Sequence, residues 1–199
     1  MRLRAVNQKL KGEKRHMNKQ DYILLLNCIH PDFFESEGVR SQPEEQIYDE
    51  MILSLDEFDV HKYDKDLEDN ITFGFYDGDL DDLKKEVEKV DQQWVQYYNE
   101  KHRVYCGYID GKVASFCLIE DMGIHNINGR KIIIGGPGCV GSIPEYRHKG
   151  IGLTMVKHVT QILKEENYDY SYIHFTGVAP WYAKLGYQTT IKWSKNGVM

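Results

Sequence analysis

Val140-Gly141-Ser142-Ile143-Pro144-Glu145-Tyr146-Arg147-His148-Lys149-Gly150-Ile151-Gly152 ends a β-branched run, turns, and opens an amphipathic helix. The amides at a helix start have no intrahelical partner and lie at the positive end of its dipole, so an anion placed there gains hydrogen bonds and field together. Gly150 and Gly152 allow the backbone to approach such a ligand closely, and Arg147 and Lys149 add positive charge beside it. The stretch therefore reads as a diphosphate cradle between a strand and a helix.

The spacing excludes two familiar phosphate loops. A P-loop needs Lys after its last glycine, whereas Ile151 follows Gly150 and Lys149 precedes it; a dinucleotide fingerprint needs G-x-G-x-x-G, whereas Leu153-Thr154-Met155 follow Gly152. What the stretch does fit is P-x-x-R-x-x-G-x-G, through Pro144, Arg147, Gly150 and Gly152. This resembles the pyrophosphate loop of the GNAT superfamily of acyl-CoA-dependent N-acyltransferases. Trp181-Tyr182-Ala183-Lys184-Leu185-Gly186-Tyr187 resembles the second signature of that family, an aromatic pair on a short helix followed by Gly-aromatic.

The resemblance covers residues 70–194. It implies an α/β (α+β) fold with a mixed, mainly antiparallel central sheet flanked by helices. It implies that Arg147, His148, Lys149, Gly150, Ile151 and Gly152 hold the diphosphate of acetyl-CoA, and that the main chain of Val140, Gly141 and Ser142 meets the thioester and pantetheine. Tyr182 takes the place of the tyrosine that often protonates the departing thiolate. The Asn that frequently follows the preceding strand in the family is missing, and residues 175–180 stand there instead.

Period and turn chemistry give the outline around these motifs. Residues 71–76 read as a strand, 79–98 as a helix with Leu80, Leu83, Val87, Val90, Trp94 and Tyr97 on one face, and 103–109 with 112–118 as a hairpin about Asp110-Gly111. A long strand begins at Lys131, and Gly135, Gly136, Pro137 and Gly138 interrupt it, which marks either a close backbone approach or an ordinary kink. In the helix after the loop, Met155, Val156, Val159, Ile162 and Leu163 form the apolar face, with Lys157, Gln161, Lys164 and Glu165 opposite.

Upstream, Pro43 looks like a helix start, and Ile47, Met51, Ile52 and Leu55 recur at helical spacing. The expected organisation is a basic head over 1–20, an N-terminal helical extension over 21–66, and the acyltransferase domain over 67–199. The head holds seven Lys/Arg against one Glu and the remainder 18 basic against 30 acidic residues, a balance that argues against nucleic acid as the partner. No apolar run reaches bilayer length, and the four cysteines form no C-x-x-C pair, so a cytoplasmic protein without membrane, disulfide or metal framework is expected.

Acyl transfer to an amine needs a proton acceptor for the amine, a donor for the oxyanion and an acid for the thiolate. Glu120, at the end of a strand, is either a solvated carboxylate or that acceptor; Asp121, His125 and His174 are the further candidates. Tyr182 is either a core aromatic or the acid. Cys139 is either a small core residue or an acyl carrier. Asp77, Asp79, Asp81 and Glu88 imitate a calcium loop, but Asp82 stands where glycine is needed, so helix capping explains them better. The expected activity is transfer of an acetyl group to a primary amine, with an acidic surface suited to a cationic acceptor and a homodimer as a compatible assembly. The alternative is a non-catalytic module that binds CoA as a sensor.

Overall fold

The computed structural model describes residues 17–199, so the basic head expected over 1–20 lies, except for its last four positions, outside the described residues. Two helices come first, α1 (Lys19–Ile29) and α2 (Glu37–Arg40), then strands β1 (Tyr48–Ser54) and β2 (Ile71–Phe75) and helix α3 (Leu80–Glu88). Strands β3 (Arg103–Ile109), β4 (Lys112–Ile127) and β5 (Arg130–Ser142) follow. Helix α4 (Ile151–Glu165), strand β6 (Tyr170–Thr176), the short helix α5 (Ala179–Tyr182) and strands β7 (Gln188–Ser194) and β8 (Gly197–Val198) complete the chain. All eight strands join one sheet in the order β2-β3-β4-β5-β6-β1-β7-β8, antiparallel except for β5 with β6.

Local chemistry explains most of these elements. Asp110-Gly111 and Asn128-Gly129 both have positive φ at each position, the primed turn that matches strand twist, and each closes a hairpin. The second hairpin makes β4 longer than expected: it runs on to Ile127, past a bulge at Met122, with Gly123 in the left-handed region. Helix α3 is shorter than the expected 79–98. Asp79 caps its start by accepting from the Asp81 amide at 2.7 Å, and Asp91 caps a separate 3₁₀ turn (Gln92–Tyr97) by accepting from the Gln93 amide at 2.8 Å.

Helix α4 packs on one face of the sheet through Met155, Val156, Val159 and Leu163, and α1 and α3 cover the other. Lys157, expected on the solvated side of α4, is instead buried and bonded to Asp64 at 2.7 Å. Its stem packs against protein while its ammonium finds a carboxylate on the segment that crosses over the helix.

The N-terminal region corrects the reading of residues 42–55 as a helix. Pro43 opens a turn closed by the Gln46 amide, and residues 48–54 form a strand between β6 and β7. Met51, Ile52 and Leu53 are all buried because both faces of β1 are covered, Met51 and Leu53 toward α5 and Ile52 toward α1. A strand covered on both sides is continuously apolar, and over so short a run period alone does not distinguish it from a buried helix. Both neighbouring strands bulge at its centre: Glu50 faces His174 and Phe175 together on β6, and Thr190 is the extra residue on β7. Because β1 is an interior strand, Met51→Ala is expected to cost about 2–5 kcal/mol of global stability by chemical denaturation, with an unchanged m-value. A detachable appendage would leave the main transition where it is.

Candidate active site

Strands β5 and β6 pair at only two places, Ile134 with Tyr170 and Gly135 with Ser171. One residue further on, a Cβ at Gly136 would lie 2.0 Å from the Tyr172 carbonyl oxygen, so glycine is required where the backbones last touch. Beyond it β5 stays with β4 as far as Ser142, while β6 stays with β1 on its other edge. The glycine cluster is therefore a close approach followed by a parting of strands, and the main chain of β5 from residue 136 onward has no strand on its β6 side. Cys139, with φ 45°, and Val140 form a bulge opposite Cys117, and the Cys139 carbonyl accepts from the Tyr98 hydroxyl at 2.8 Å.

A cleft of about 640 Å³ opens where the strands part. Val140, Gly141 and Ser142 form its floor, Arg147, His148, Gly150, Ile151 and Gly152 one end, and Trp181 and Tyr182 a wall. The φ values of His148 (67°) and Gly150 (88°) turn the chain into α4. The first intrahelical bond runs from the Thr154 amide to the Gly150 carbonyl, no side chain caps the start, and its first turn holds no acid. This leaves the opening amides of α4 aimed out of the helix toward the cleft, the arrangement that suits a diphosphate.

The expected loop residues divide by role. Arg147 donates from Nε to the Ser142 carbonyl at 3.1 Å, which ties the loop back to the floor. Lys149 does not line the cleft; its ammonium lies 3.8 Å from Glu68. Gly152 answers to packing, since a Cβ there would meet Ser142 Oγ at 2.7 Å.

Two lining residues escaped the sequence reading, Tyr63 and Lys65. They belong to the segment between β1 and β2, which crosses α4 and is pinned by Lys157 to Asp64, by Lys164 to the Phe58 carbonyl, and by the Phe58 and Tyr63 rings stacked at 5.7 Å. It brings the Lys65 ammonium to the turn before α4, 2.7 Å from where a Gly150 Cβ would lie. The only signal in the sequence was a lysine within an acidic run.

The catalytic candidates lie on two sides of the sheet. Tyr182 is buried in the wall of the cleft against Trp181 and Tyr187, and burial holds its phenol far above the ordinary tyrosine range. It thus carries its proton at any working pH. Glu120 is not in this cleft. It follows Phe116 and Leu118 on the α3 face, where a Cβ at Gly138 would meet its carboxylate at 2.1 Å. Burial raises its pKa, and His102 and His174 partly offset that. Burial also pushes the Cys139 thiol up to about 12, which removes the thiolate an acyl carrier needs. His125 is spent on the Met122 carbonyl at 2.8 Å, and Asp121 accepts from the Gly123 amide at 2.9 Å.

Residues 71–190 match the family model described as an acetyltransferase (GNAT) domain. The chain belongs to the GNAT acetyltransferase family, and its fold is the mixed, mainly antiparallel one of that family. Among solved structures it is similar to a GCN5-related glucosamine N-acetyltransferase region of a fungal multi-domain β-N-acetylglucosaminidase (TM-score 0.61, 19% identity, 76% of this chain and 21% of that one). It is also similar to GCN5-related N-acetyltransferases of Kribbella flavida (0.51, 12%, 74% and 56%) and Sphaerobacter thermophilus (0.51, 16%, 74% and 49%). The chain thus spans between a fifth and just over half of these proteins, and at such identities the likeness speaks for the fold. No curated protein matches the chain. Among the described residues no helix is long and apolar enough to cross a membrane, and no group of three metal-ligating side chains converges.

Calorimetric titration with CoA tests the donor end. Gly150→Asp, which sets an anion and a strained φ in the turn, is expected to abolish binding. Lys65→Met is expected to weaken it about tenfold, the worth of one charge-assisted contact, with a smaller salt dependence.

Proposed function

We propose that this protein transfers an acetyl group from acetyl-CoA to a primary amine by direct attack of the amine on the thioester. The observation that carries the reading is the continuity of one cleft, from the uncapped start of α4, along the unpaired edge of β5 at Val140 to Ser142, to Tyr182. The diphosphate belongs at residues 147–152 with Lys65 beside it, and the pantetheine belongs along residues 140–142, where main-chain groups lack a neighbouring strand. A donor laid there completes the sheet in the way a strand would.

Tyr182 is the acid. Its phenol remains protonated until a thiolate forms beside it, and its enclosure keeps water from competing for that proton. Main-chain amides of the cleft floor are the groups available to the oxyanion. No covalent intermediate on Cys139 enters the scheme. The amine approaches through the parting of the strands from the α3 face, where Glu120 receives its proton. A carboxylate whose pKa burial has raised is a better proton acceptor near neutrality than a solvated one. The acidic residues concentrated in 44–91 favour a cationic acceptor.

Thiol release from acetyl-CoA on a panel of amines tests the reading, and turnover with none of them alongside tight CoA binding would favour a sensor. Tyr182→Phe is expected to lower kcat by about 10²-fold or more while leaving the Kd of acetyl-CoA nearly unchanged. The raised pKa of Glu120 also has a sign in stability. The folded state holds that proton more tightly than the unfolded chain, so the contribution is present below the unfolded pKa and is lost as pH rises through the folded one. Glu120→Gln is therefore expected to raise Tm relative to wild type more in alkaline than in mildly acidic buffer, as scanning calorimetry at the two pH values would show.

A further inference from the structure

On the face of the sheet away from α4 lies a buried polar cluster that none of the steps above uses. Glu50 on β1 has no exposed surface, yet its carboxylate accepts from the Tyr172 hydroxyl (2.7 Å), the Trp193 indole (2.7 Å) and the Phe175 amide (3.2 Å). Its Oε2 also lies 2.8 Å from His174 Nδ1. A carboxylate only accepts, so Nδ1 carries the hydrogen and Nε2 is left with its lone pair. The bulges beside Glu50 make this possible. Phe175 takes a left-handed φ of 55°, which turns its amide to the carboxylate and leaves His174 next to it on the same side.

The imidazole is held as firmly on its other flank. His30, at the end of α1, stacks on His174 with centroids 3.8 Å apart and planes 19° from parallel. Burial, and after it the charge of His174, lowers the His30 pKa to about 4 against the pull of Glu50, so His30 is a neutral plate at ordinary pH. Its Nε2 is buried without a hydrogen-bond partner. The His174 side chain keeps 22% of its surface exposed.

Register sets this group at the parting of the strands. Gly135 pairs with Ser171 at the end of the ladder, and Gly138 and His174 each lie three residues beyond that pair on the two strands that part. Gly138 is the residue whose Cβ would strike the Glu120 carboxylate. Glu120, beside Gly138, and His174 therefore lie on the two sides of the opening, and a positive charge on His174 would lower the Glu120 pKa. The titratable groups facing the pair are Glu50 from β1, Tyr172 from β6, His30 from the end of α1, Tyr98 and His102 from the segment before β3, Cys117 from β4 and Cys139 from β5.

We propose that Glu50 and His174 form a proton relay on the acceptor side of the site: Nε2 of His174 takes the proton that the amine has given to Glu120 and releases it to solvent, while Glu50 fixes the tautomer and balances the imidazolium. One proton moves, from nitrogen to carboxylate to imidazole to water, and no other bond changes. This rests on the acyl-transfer reading. Glu50 is a positioning residue in it, acting through His174.

The test compares wild type, His174→Asn, Glu50→Gln and the double variant, with acetyl-CoA and an amine that the wild type acetylates. The expected result is a kcat about 10²-fold lower in His174→Asn. The acid limb of its pH profile, taken from roughly pH 6 to 9, should differ from that of wild type, because Glu120 alone then sets it, with no change in the calorimetric Kd of acetyl-CoA. Glu50→Gln should shift that limb, and the double variant should be no worse than His174→Asn alone. Ring ¹⁵N spectra of the wild type should show His174 as the Nδ1–H tautomer, a readout that stands even if Glu50→Gln fails to fold. Wild-type kcat and pH profile in His174→Asn, or a hydrogen on Nε2, would overturn the relay while acyl transfer stands. A wild type that binds acetyl-CoA but acetylates no amine would instead bring down the acyl-transfer reading and the relay with it.

Discussion

Everything about the site depends on two parallel strands that pair twice and then separate. A sheet gains from each further ladder bond, so the parting of β5 from β6 needs a cause on both sides. On β5 the cause is contact: at Gly136 the strands are so close that no side chain fits, and at Cys139 a bulge turns the main chain away. On β6 it is anchorage, because β1 pairs along its other edge from Tyr170 to Thr176 and holds it in place. The unpaired edge of β5 persists because neither neighbour can move to cover it. Backbone groups so exposed are a template for an extended ligand.

The starts of the three longer helices show how local sequence encodes such differences. Helix α1 begins with a capping box of Asn18 and Asp21, and α3 with Asp79 and two further acids in its first turn. Their amides and dipoles are satisfied within the chain. Helix α4 begins with glycine, no cap and no acid, behind a basic loop. With two helices capped, the start of α4 is the one among these three whose amides are left open to a ligand.

The capping acids of α3 and the open start of α4 are local features, and they were legible. So were the Asp110-Gly111 turn, the apolar face of α4 and the glycine interruption in β5, because each depends on residues adjacent in the chain. The role of residues 48–54 was not, because the strands that make it a strand, β6 and β7, lie more than a hundred positions away, and its run of apolar residues satisfies either period. Lys65 was hidden for a related reason: only the crossing of α4 by its segment brings it to Gly150. Glu50 looked like one more acid in an acidic region, and nothing beside it in sequence announces the tyrosine, tryptophan and histidine that surround its carboxylate. Glu120 was expected at a strand end, whereas β4 runs through it to Ile127, and it takes the α3 face by alternation with Phe116 and Leu118.

The placement of β1 also bears on how the chain reaches its fold. Met51 must lie between Ile173 and Thr189, so the early strand has no partners until the last quarter of the chain is available. Closing loops of roughly 120 residues before any ladder bond is gained is slow, and mean contact separation is the main determinant of folding rate. The hairpins from β3 to β5, by contrast, can form as soon as they are made. Assembly is thus expected to begin in the middle of the chain and end with the insertion of an apolar, continuously sticky strand between two late ones. Until that happens, residues 48–55 are the segment most exposed to wrong partners, which makes the final closure of the sheet the step on which yield during synthesis turns.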